Sequence, residues 1–586
     1  MVYSIQGQSD RLAPVLGQKQ AVPVPSRWQT AVFLALLLLT SVVSLWDYQS
    51  FQLGTWHDDA NYVILARSLL TADKYGQINV PGIPTDARYP FGYPLILAPL
   101  MALFPDNLDV LKALSLLTTL ANGAMIFWGW KWFSARSHWW AVAVTGFYLL
   151  TPLTIEHTRM VMAEPVFMSF CLIAMLTTAW LSRRSADEGG REWLWLLVLG
   201  VSLVFVAFTR TIGLIPVAGV FFYLLWQRGW RFWKQLLALG LIMAGLVTAV
   251  VALTPVQITS GLFPGRYLQG VQASFLNGFR SLLGQAPPES ISERYIQEEA
   301  QTDGQTAELD RHTFFSDFIG GALYHLGKDF RLALIQFGGG DREEELAKRI
   351  GLPWLTPAVG YAVSILIALG FFWDAFRVRQ VSIFTFFAFL YATALFLWVW
   401  DGPRLLYPVL PQLFYGFLVG METAMLPVVF LLRRFRPARV ILVGWMVVAI
   451  LITAGHLYKD LTMRGSRAHV GDLQARVVWI RDHADPEAVV LTEDPLVMYL
   501  YSQRYTVRFS EELVSAVSLS EFIRQNNVNY ILVASQRIWQ DEGYHPVYSR
   551  EIQSLLPLLD ELTATGQLTL VHTADEHLVK VFQVQP

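Results

Sequence analysis

A succession of apolar runs, each close to the length that crosses a bilayer, constrains this chain more than any other feature. A spanning helix needs roughly 20 mainly apolar residues. Eleven segments meet or approach that length, at about 28–47, 109–130, 139–157, 162–181, 193–209, 211–226, 236–255, 353–373, 381–400, 404–430 and 438–457. In hydrocarbon every backbone N–H and C=O must find a partner within the protein, so such runs fold as helices gathered into a bundle. The rest of the composition agrees: 54% of the 586 residues are hydrophobic and only 15% charged, too apolar for a soluble enzyme of this size. The expected fold class is therefore an α-helical polytopic membrane protein with about 11 transmembrane helices. A formal net charge of -2 gives no electrostatic case for a nucleic-acid partner. With Cys171 as the single cysteine, neither an intrachain disulfide nor a thiolate metal site can form.

Lys and Arg collect in cytoplasmic loops, which orients the bundle. Counted from a cytoplasmic N-terminus, the inner connections carry Lys131 and Arg136; Arg183, Arg184 and Arg191; Arg228, Arg231 and Lys234; Arg377 and Arg379; and Arg433, Arg434, Arg436 and Arg439. Each short outer turn carries one basic residue: Arg159, Arg210 or Arg404. The polar tail, residues 1–27, precedes a run too long for a signal-peptide core, so the first helix is expected to be retained. The reading is a multi-pass plasma-membrane protein of the bacterial inner-membrane type, with its N-terminus in the cytoplasm. Residues 28–460 form the membrane domain, with large outer loops at 48–108 and 256–352. Residues 465–586 alternate helix-like and strand-like patterns ("DLQARVVWIRDH", "AVVLT", "SLSEFIRQNN", "NYILVAS", "SLLPLLDEL", "LTLVHT") and predict a small extracytoplasmic α/β domain.

The first outer loop contains "TWHDDANYVILARSLL", residues 55–70. Tyr62, Leu65, Ala66 and Leu69 recur at helical spacing, an apolar face able to lie on the bilayer, with Asp58 and Asp59 at the helix start. An acidic pair there can simply cap the helix and suit its dipole. Other ionisable residues share the outer side: Glu156, His157, Arg159 and Glu164, then Arg210, then Asp401 and Arg404. Charges near hydrocarbon are expensive and mark function, although Arg159 and Glu164 could form an interfacial ion pair and Arg404 could snorkel to the headgroups. Together, carboxylates and arginines at one membrane face suit a site that needs both a base and an anion clamp, because the planar guanidinium fork donates two hydrogen bonds to a phosphate.

These residues resemble the GT-C superfamily of membrane glycosyltransferases. The acidic pair with Tyr62 and "ARSLL" is similar to the family's first outer loop, as is the run "YPFGYPLILAPL" that follows Arg88. "TRMVMAEPVF" resembles the second outer loop, "TRTIGLIPVAGV" the Arg-plus-Gly-Leu turn, and "GPRLLYPVLPQL" the late Arg-Leu-x-Pro segment. The nearest group by these motifs is the dolichyl-phosphate-mannose protein mannosyltransferases and aminoarabinose transferases. One departure is the Asp-Asp pair where the family usually has Asp-Glu, which leaves open which aspartate is the base.

The resemblance implies transfer of a sugar from a polyprenyl-phosphate donor to a hydroxyl on a lipid, glycan or protein acceptor, outside the cytoplasm. It implies Asp58, Asp59 and Glu164 as catalytic residues. Tyr62, Arg88, Glu156, His157, Arg159, Arg210, Asp401 and Arg404 would bind substrate, with Arg210 and Arg404 on the phosphate. Some members hold a divalent metal on carboxylates; none is expected here, nor any other cofactor. Competing readings are a glycan ligase or polymerase, a flippase for lipid-linked sugars, and a non-catalytic scaffold. The flippase reading predicts midplane charges and repeated broken helices, whereas these charges gather at one face.

Overall fold

The structure is a computed structural model. It describes residues 25–46, 58–254, 322–334, 347–425 and 476–585, interrupted at 83–84, 87–88, 106, 135, 184–191, 353, 379–380, 397–402, 510–512, 514, 535, 541–542 and 575–578, together with a few positions between 444 and 474.

Seven described segments are long and apolar enough to cross a membrane: α1 (Arg27–Trp46), α4 (Leu108–Phe133), α7 (Ala163–Arg183), α8 (Glu192–Thr209), the segment Thr211–Arg228 that contains α9 (Leu214–Arg228), α10 (Trp233–Leu253) and α11 (Leu355–Val378). Between α1 and α4 lie α2 (Asp58–Thr71) and α3 (Gly92–Leu103), joined through a two-residue hairpin of β1 (Gly76–Gln77) and β2 (Thr85–Asp86). The run at 139–157 is two helices, α5 (His138–Leu150) and α6 (Pro152–Thr158). Thr151 is extended because the ring of Pro152 excludes the α conformation from the residue before it. The described helix of the run at 381–400 is the 13-residue α12 (Ile383–Leu395). The run at 404–430 starts as a 3-10 turn, Pro403–Val409, and continues as α13 (Leu410–Ala424). Most of 438–457 and of the loop 256–352 falls outside the described residues.

The bundle packs around aromatic stacks, Phe33 on Phe127 at 4.3 Å and Phe147 on Phe414 at 3.8 Å. Helices α11 and α13 cross so closely that a Cβ on Gly370 would stand 1.8 Å from the carbonyl oxygen of Gly416, an approach only glycine permits. Helix α10 is nearly bare, only 6% buried. Such a surface is sustainable in lipid, where apolar exposure carries no penalty. At the end of the bundle away from Asp58, Arg136 Nη1 donates to Glu422 at 2.5 Å, lies 3.8 Å from Asp374 and stacks over Trp140. Arg136, read above as an inner-loop charge, is a largely enclosed tie between the ends of α4, α11 and α13.

The C-terminal segment is α/β. Five strands run in the order β4-β3-β5-β9-β8: β3 (Val489–Thr492), β4 (Tyr505–Arg508), β5 (Val528–Val533), β8 (Leu568–Ala574) and β9 (Val579–Val584). Strands β3, β4 and β5 are mutually parallel and β9 is antiparallel to both its neighbours. A separate hairpin pairs β6 (Gln536–Gln540) with β7 (Gly543–Val547). Helices α14 (Pro495–Ser502), α15 (Ala516–Gln525) and α16 (Arg550–Ala564) connect the sheet.

This segment seats on the stretch between α1 and α4. Val477, Ile480, Val497 and Met498 share one core with Tyr62, Tyr93 and Leu97. Asn79 and Thr506 are joined twice, by Thr506 N–H to the Asn79 carbonyl at 2.7 Å and by the Asn79 amide to Thr506 Oγ1 at 3.3 Å. Helix α2 is accordingly buried on nearly every side, from Asp59 to Ala66 and again at Ser68 and Leu69. The expectation that its apolar face lies on the bilayer is corrected: that face packs against α3, the C-terminal segment and the end of α8. A helix flanked by protein on two sides carries apolar residues all round, which a stripe at 3.6-residue spacing does not reveal.

Candidate active site

Four chain segments meet at one end of the bundle, and each brings a charge. The first turn of α2 carries Asp58 and Asp59. The first turn of α7 carries Glu164, where the positive end of the helix dipole favours a carboxylate. That turn is held by Asn122 of α4, whose amide donates to the carbonyl of Pro165 at 2.9 Å while its oxygen accepts from Ser169 at 2.7 Å. Arg210 leaves the end of α8 in extended conformation. The turn after it closes on Gly213, where a Cβ would lie 1.9 Å from the carbonyl oxygen of Val206, so the turn that aims Arg210 demands glycine. Arg404 opens the 3-10 turn before α13.

The charges are paired across the chain. Arg404 Nη1 donates to Asp58 Oδ2 at 2.7 Å, and the hydroxyl of Tyr89 donates to Asp58 Oδ1 at 2.5 Å. This pair is half-open, with Asp58 17% and Arg404 27% exposed. Deeper in, Arg210 donates to Glu164 Oε1; Glu164 is 1% exposed and Arg210 18%. Tyr62 is within electrostatic reach of Arg210, Glu164, Asp58 and Arg404, and burial pushes its hydroxyl well above the usual tyrosine range. Its ring packs 4.9 Å from both Tyr89 and Tyr93. Asp59 is fully buried and accepts from the Ala60 N–H at 2.8 Å.

His157 is buried, with Nδ1 on the Leu153 carbonyl at 2.7 Å and its ring 4.8 Å from Tyr407, whose hydroxyl meets that of Tyr148 at 2.9 Å. Arg159 reaches back to α1. It donates to the carbonyls of Val43 at 2.8 Å and Ser44 at 3.4 Å, closing the C-terminal end of α1. Glu156 is half-buried on α6. Arg88 and Asp401 lie outside the described residues.

Two residues at the site escaped sequence reasoning. Tyr89 lies within the "RYPFGYP" run but was not singled out. Lys112, fully buried in α4, has its Nζ 3.8 Å from Asp109 and is within electrostatic reach of Asp59. A lone lysine inside the run 109–130 was the signal that could have marked it.

Chemically, the arrangement offers a carboxylate oxygen beside a guanidinium at a partly open mouth, backed by a second carboxylate–guanidinium pair. Among the described residues no group of three or more His, Cys, Asp or Glu side chains is arranged to hold a metal ion. Asp58 and Glu164 each face an arginine.

A bundle of apolar helices carrying a C-terminal α/β segment defines a multi-pass membrane protein, and its fold is similar to that of solved GT-C glycosyltransferases. Residues 103–263 match the family model described as dolichyl-phosphate-mannose-protein mannosyltransferase. No curated protein sequence matches the chain. Among solved structures it is similar to ArnT from Cupriavidus metallidurans bound to undecaprenyl phosphate, at 14% identity over 95% of this chain and 98% of that one, with a TM-score of 0.53. It is also similar to the Archaeoglobus fulgidus oligosaccharyltransferase in the apo form, at 12% identity over 95% and 88%, TM-score 0.52. The same enzyme in complex with Zn and sulfate matches at 11% identity over 86% and 67%, TM-score 0.50. These are GT-C membrane glycosyltransferases, and the chain shares their fold.

Proposed function

We propose that the protein transfers a sugar from a polyprenyl-phosphate donor to a hydroxyl on a lipid, glycan or protein acceptor, at the extracytoplasmic face of a bacterial inner membrane. The observation that carries this reading is the Asp58–Arg404 pair, a base and an anion-binding fork held side by side and half-open.

Asp58 accepts the proton of the acceptor hydroxyl as that oxygen bonds to the anomeric carbon. The bond from that carbon to the phosphate oxygen breaks, and the lipid phosphate leaves with its negative charge developing beside Arg404, where fixed positive charge lowers the barrier. Arg404 donates to Asp58 through Nη1, and a guanidinium fork has five N–H donors with which to meet a phosphate as well. Tyr89 holds Asp58 in place when the arginine is shared. Arg210, fixed by Glu164, adds charge on the inner side, and Asp59 stiffens the turn that carries Asp58. No metal takes part in this scheme.

The test is donor use by Arg404 variants. Arg404→Ala should weaken the use of a polyprenyl-phosphate sugar while the protein still folds, and Arg404→Lys should restore only part, because lysine supplies charge without the fork. Parent-like donor kinetics in Arg404→Ala would contradict the assignment.

A further inference from the structure

Two buried acceptor atoms on the inner side of the site have no hydrogen-bond partner among the described residues: Nε2 of His157 and Oε2 of Glu164. Both side chains are almost fully enclosed, at 3% and 1% exposure. Their other polar atoms are already committed. His157 Nδ1 meets the Leu153 carbonyl, which can only accept, so Nδ1 carries the hydrogen and Nε2 of the neutral ring presents a lone pair. Glu164 Oε1 is taken by Arg210, leaving Oε2 as a second bare acceptor. The two groups lie within electrostatic reach of one another and of Arg404. Tyr407, which packs on the His157 ring, cannot serve them, since its hydroxyl is engaged with Tyr148 and Thr119.

Buried acceptors are rarely left unmet. Two of them set beside the phosphate-binding arginine call for a ligand that brings hydrogens. A phosphate oxygen cannot, and an apolar lipid chain cannot.

We infer that His157 Nε2 and Glu164 Oε2 form a subsite that accepts hydrogen bonds from hydroxyls of a sugar ring, an assignment that rests on the glycosyltransferase reading and specifies where it recognises its carbohydrate. Within electrostatic reach of Arg404, the subsite takes the sugar of the donor, whose phosphate lies at the arginine; a sugar acceptor would bring the same chemistry. Glu164 thereby holds Arg210 with one oxygen and the sugar with the other.

The experiment compares the full-length protein in nanodiscs with His157→Phe, which keeps a flat ring against Tyr407, and with Glu164→Gln, which turns the free acceptor into a donor. Binding is measured for undecaprenyl phosphate and for undecaprenyl phosphates carrying mannose, glucose or arabinose, and acceptor KM is measured with whichever donor the parent uses. The expected result is that His157→Phe binds bare undecaprenyl phosphate as the parent does, but loses about tenfold in affinity for the preferred sugar-bearing donor, the worth of one hydrogen bond. A tenfold rise in acceptor KM with donor affinity intact would support the subsite and assign it to the acceptor. Both affinities and KM unchanged in both variants would overturn it, showing that water alone serves the two atoms. A parent protein that binds none of these lipid phosphates would sink the glycosyltransferase reading itself, a failure visible before any variant is made.

Discussion

Removing the arginine from each ion pair should have opposite consequences for stability and function. Glu164 is 1% exposed, so Arg210→Ala strands a carboxylate where water cannot reach it. Breaking a buried pair in this way costs about 3–5 kcal/mol. Some relief comes from Arg404, whose charge also reaches Glu164 and places the expected loss near the lower end. Arg404→Ala leaves Asp58 with the Tyr89 hydroxyl and partial access to water, and pairs this open contribute about 1 kcal/mol or less. The assay is thermal unfolding of purified protein in detergent, followed by intrinsic fluorescence, for which the 21 tryptophans give ample signal. Arg210→Ala should melt several degrees below Arg404→Ala. Replacing both members of the inner pair, as Glu164→Leu with Arg210→Met, should recover more than half of the loss, because no buried charge remains unmatched. Equal melting temperatures for the two single variants, or a double variant no better than Arg210→Ala, would refute the reasoning from burial.

Tyr89→Phe deletes one hydrogen bond to a charged acceptor, worth about 1.5–3 kcal/mol; kcat/KM should fall between about ten- and a hundredfold with little change in melting temperature, and an unchanged value would show that Asp58 needs no such support. In a Cys171→Ala background, Glu521→Cys should react with an impermeant thiol reagent added to intact cells and Arg377→Cys should not, both positions being exposed in the fold; the reverse pattern would invert the orientation and place the site in the cytoplasm.

The membrane helices were legible because lipid imposes a single length scale, and a run such as 233–253 satisfies it without help from the rest of the chain. The gathering of charge at one face was legible for a related reason: in an up-and-down bundle, residues at alternate turns share an end. Which charges pair was not legible. Asp58 and Arg404 are 346 residues apart, and nothing local in either segment encodes the contact. The roles of the arginines show the same limit. Arg159 and Arg210 look alike in sequence, each single at an outer turn, yet one closes the end of α1 and the other meets Glu164. The burial of α2 was missed because it depends on the seating of the C-terminal segment, and the residues that cover it, Val497 and Met498 among them, read in sequence as that segment's own core. In the α/β segment, the strands "AVVLT" and "NYILVAS" declare themselves by apolar β-branched residues, whereas β4, "YTVR", has a single aliphatic residue among its four and does not.

The central claim is that Asp58 takes the proton in glycosyl transfer, and Asp58→Asn tests it most directly. Asparagine keeps the size of the side chain, can accept from Arg404 through its one oxygen and donate to the Tyr89 hydroxyl through its amide, and caps a helix about as well as aspartate, so the first turn of α2 should stay formed. What it loses is the ability to accept a proton. The measurement is the initial rate of sugar transfer from a polyprenyl-phosphate donor by the purified variant, beside its melting temperature. The account predicts a melting temperature near that of the parent and a rate lower by roughly two to four orders of magnitude, the usual worth of a general base. An Asp58→Asn protein that folds normally and transfers sugar at close to the parent rate would contradict it.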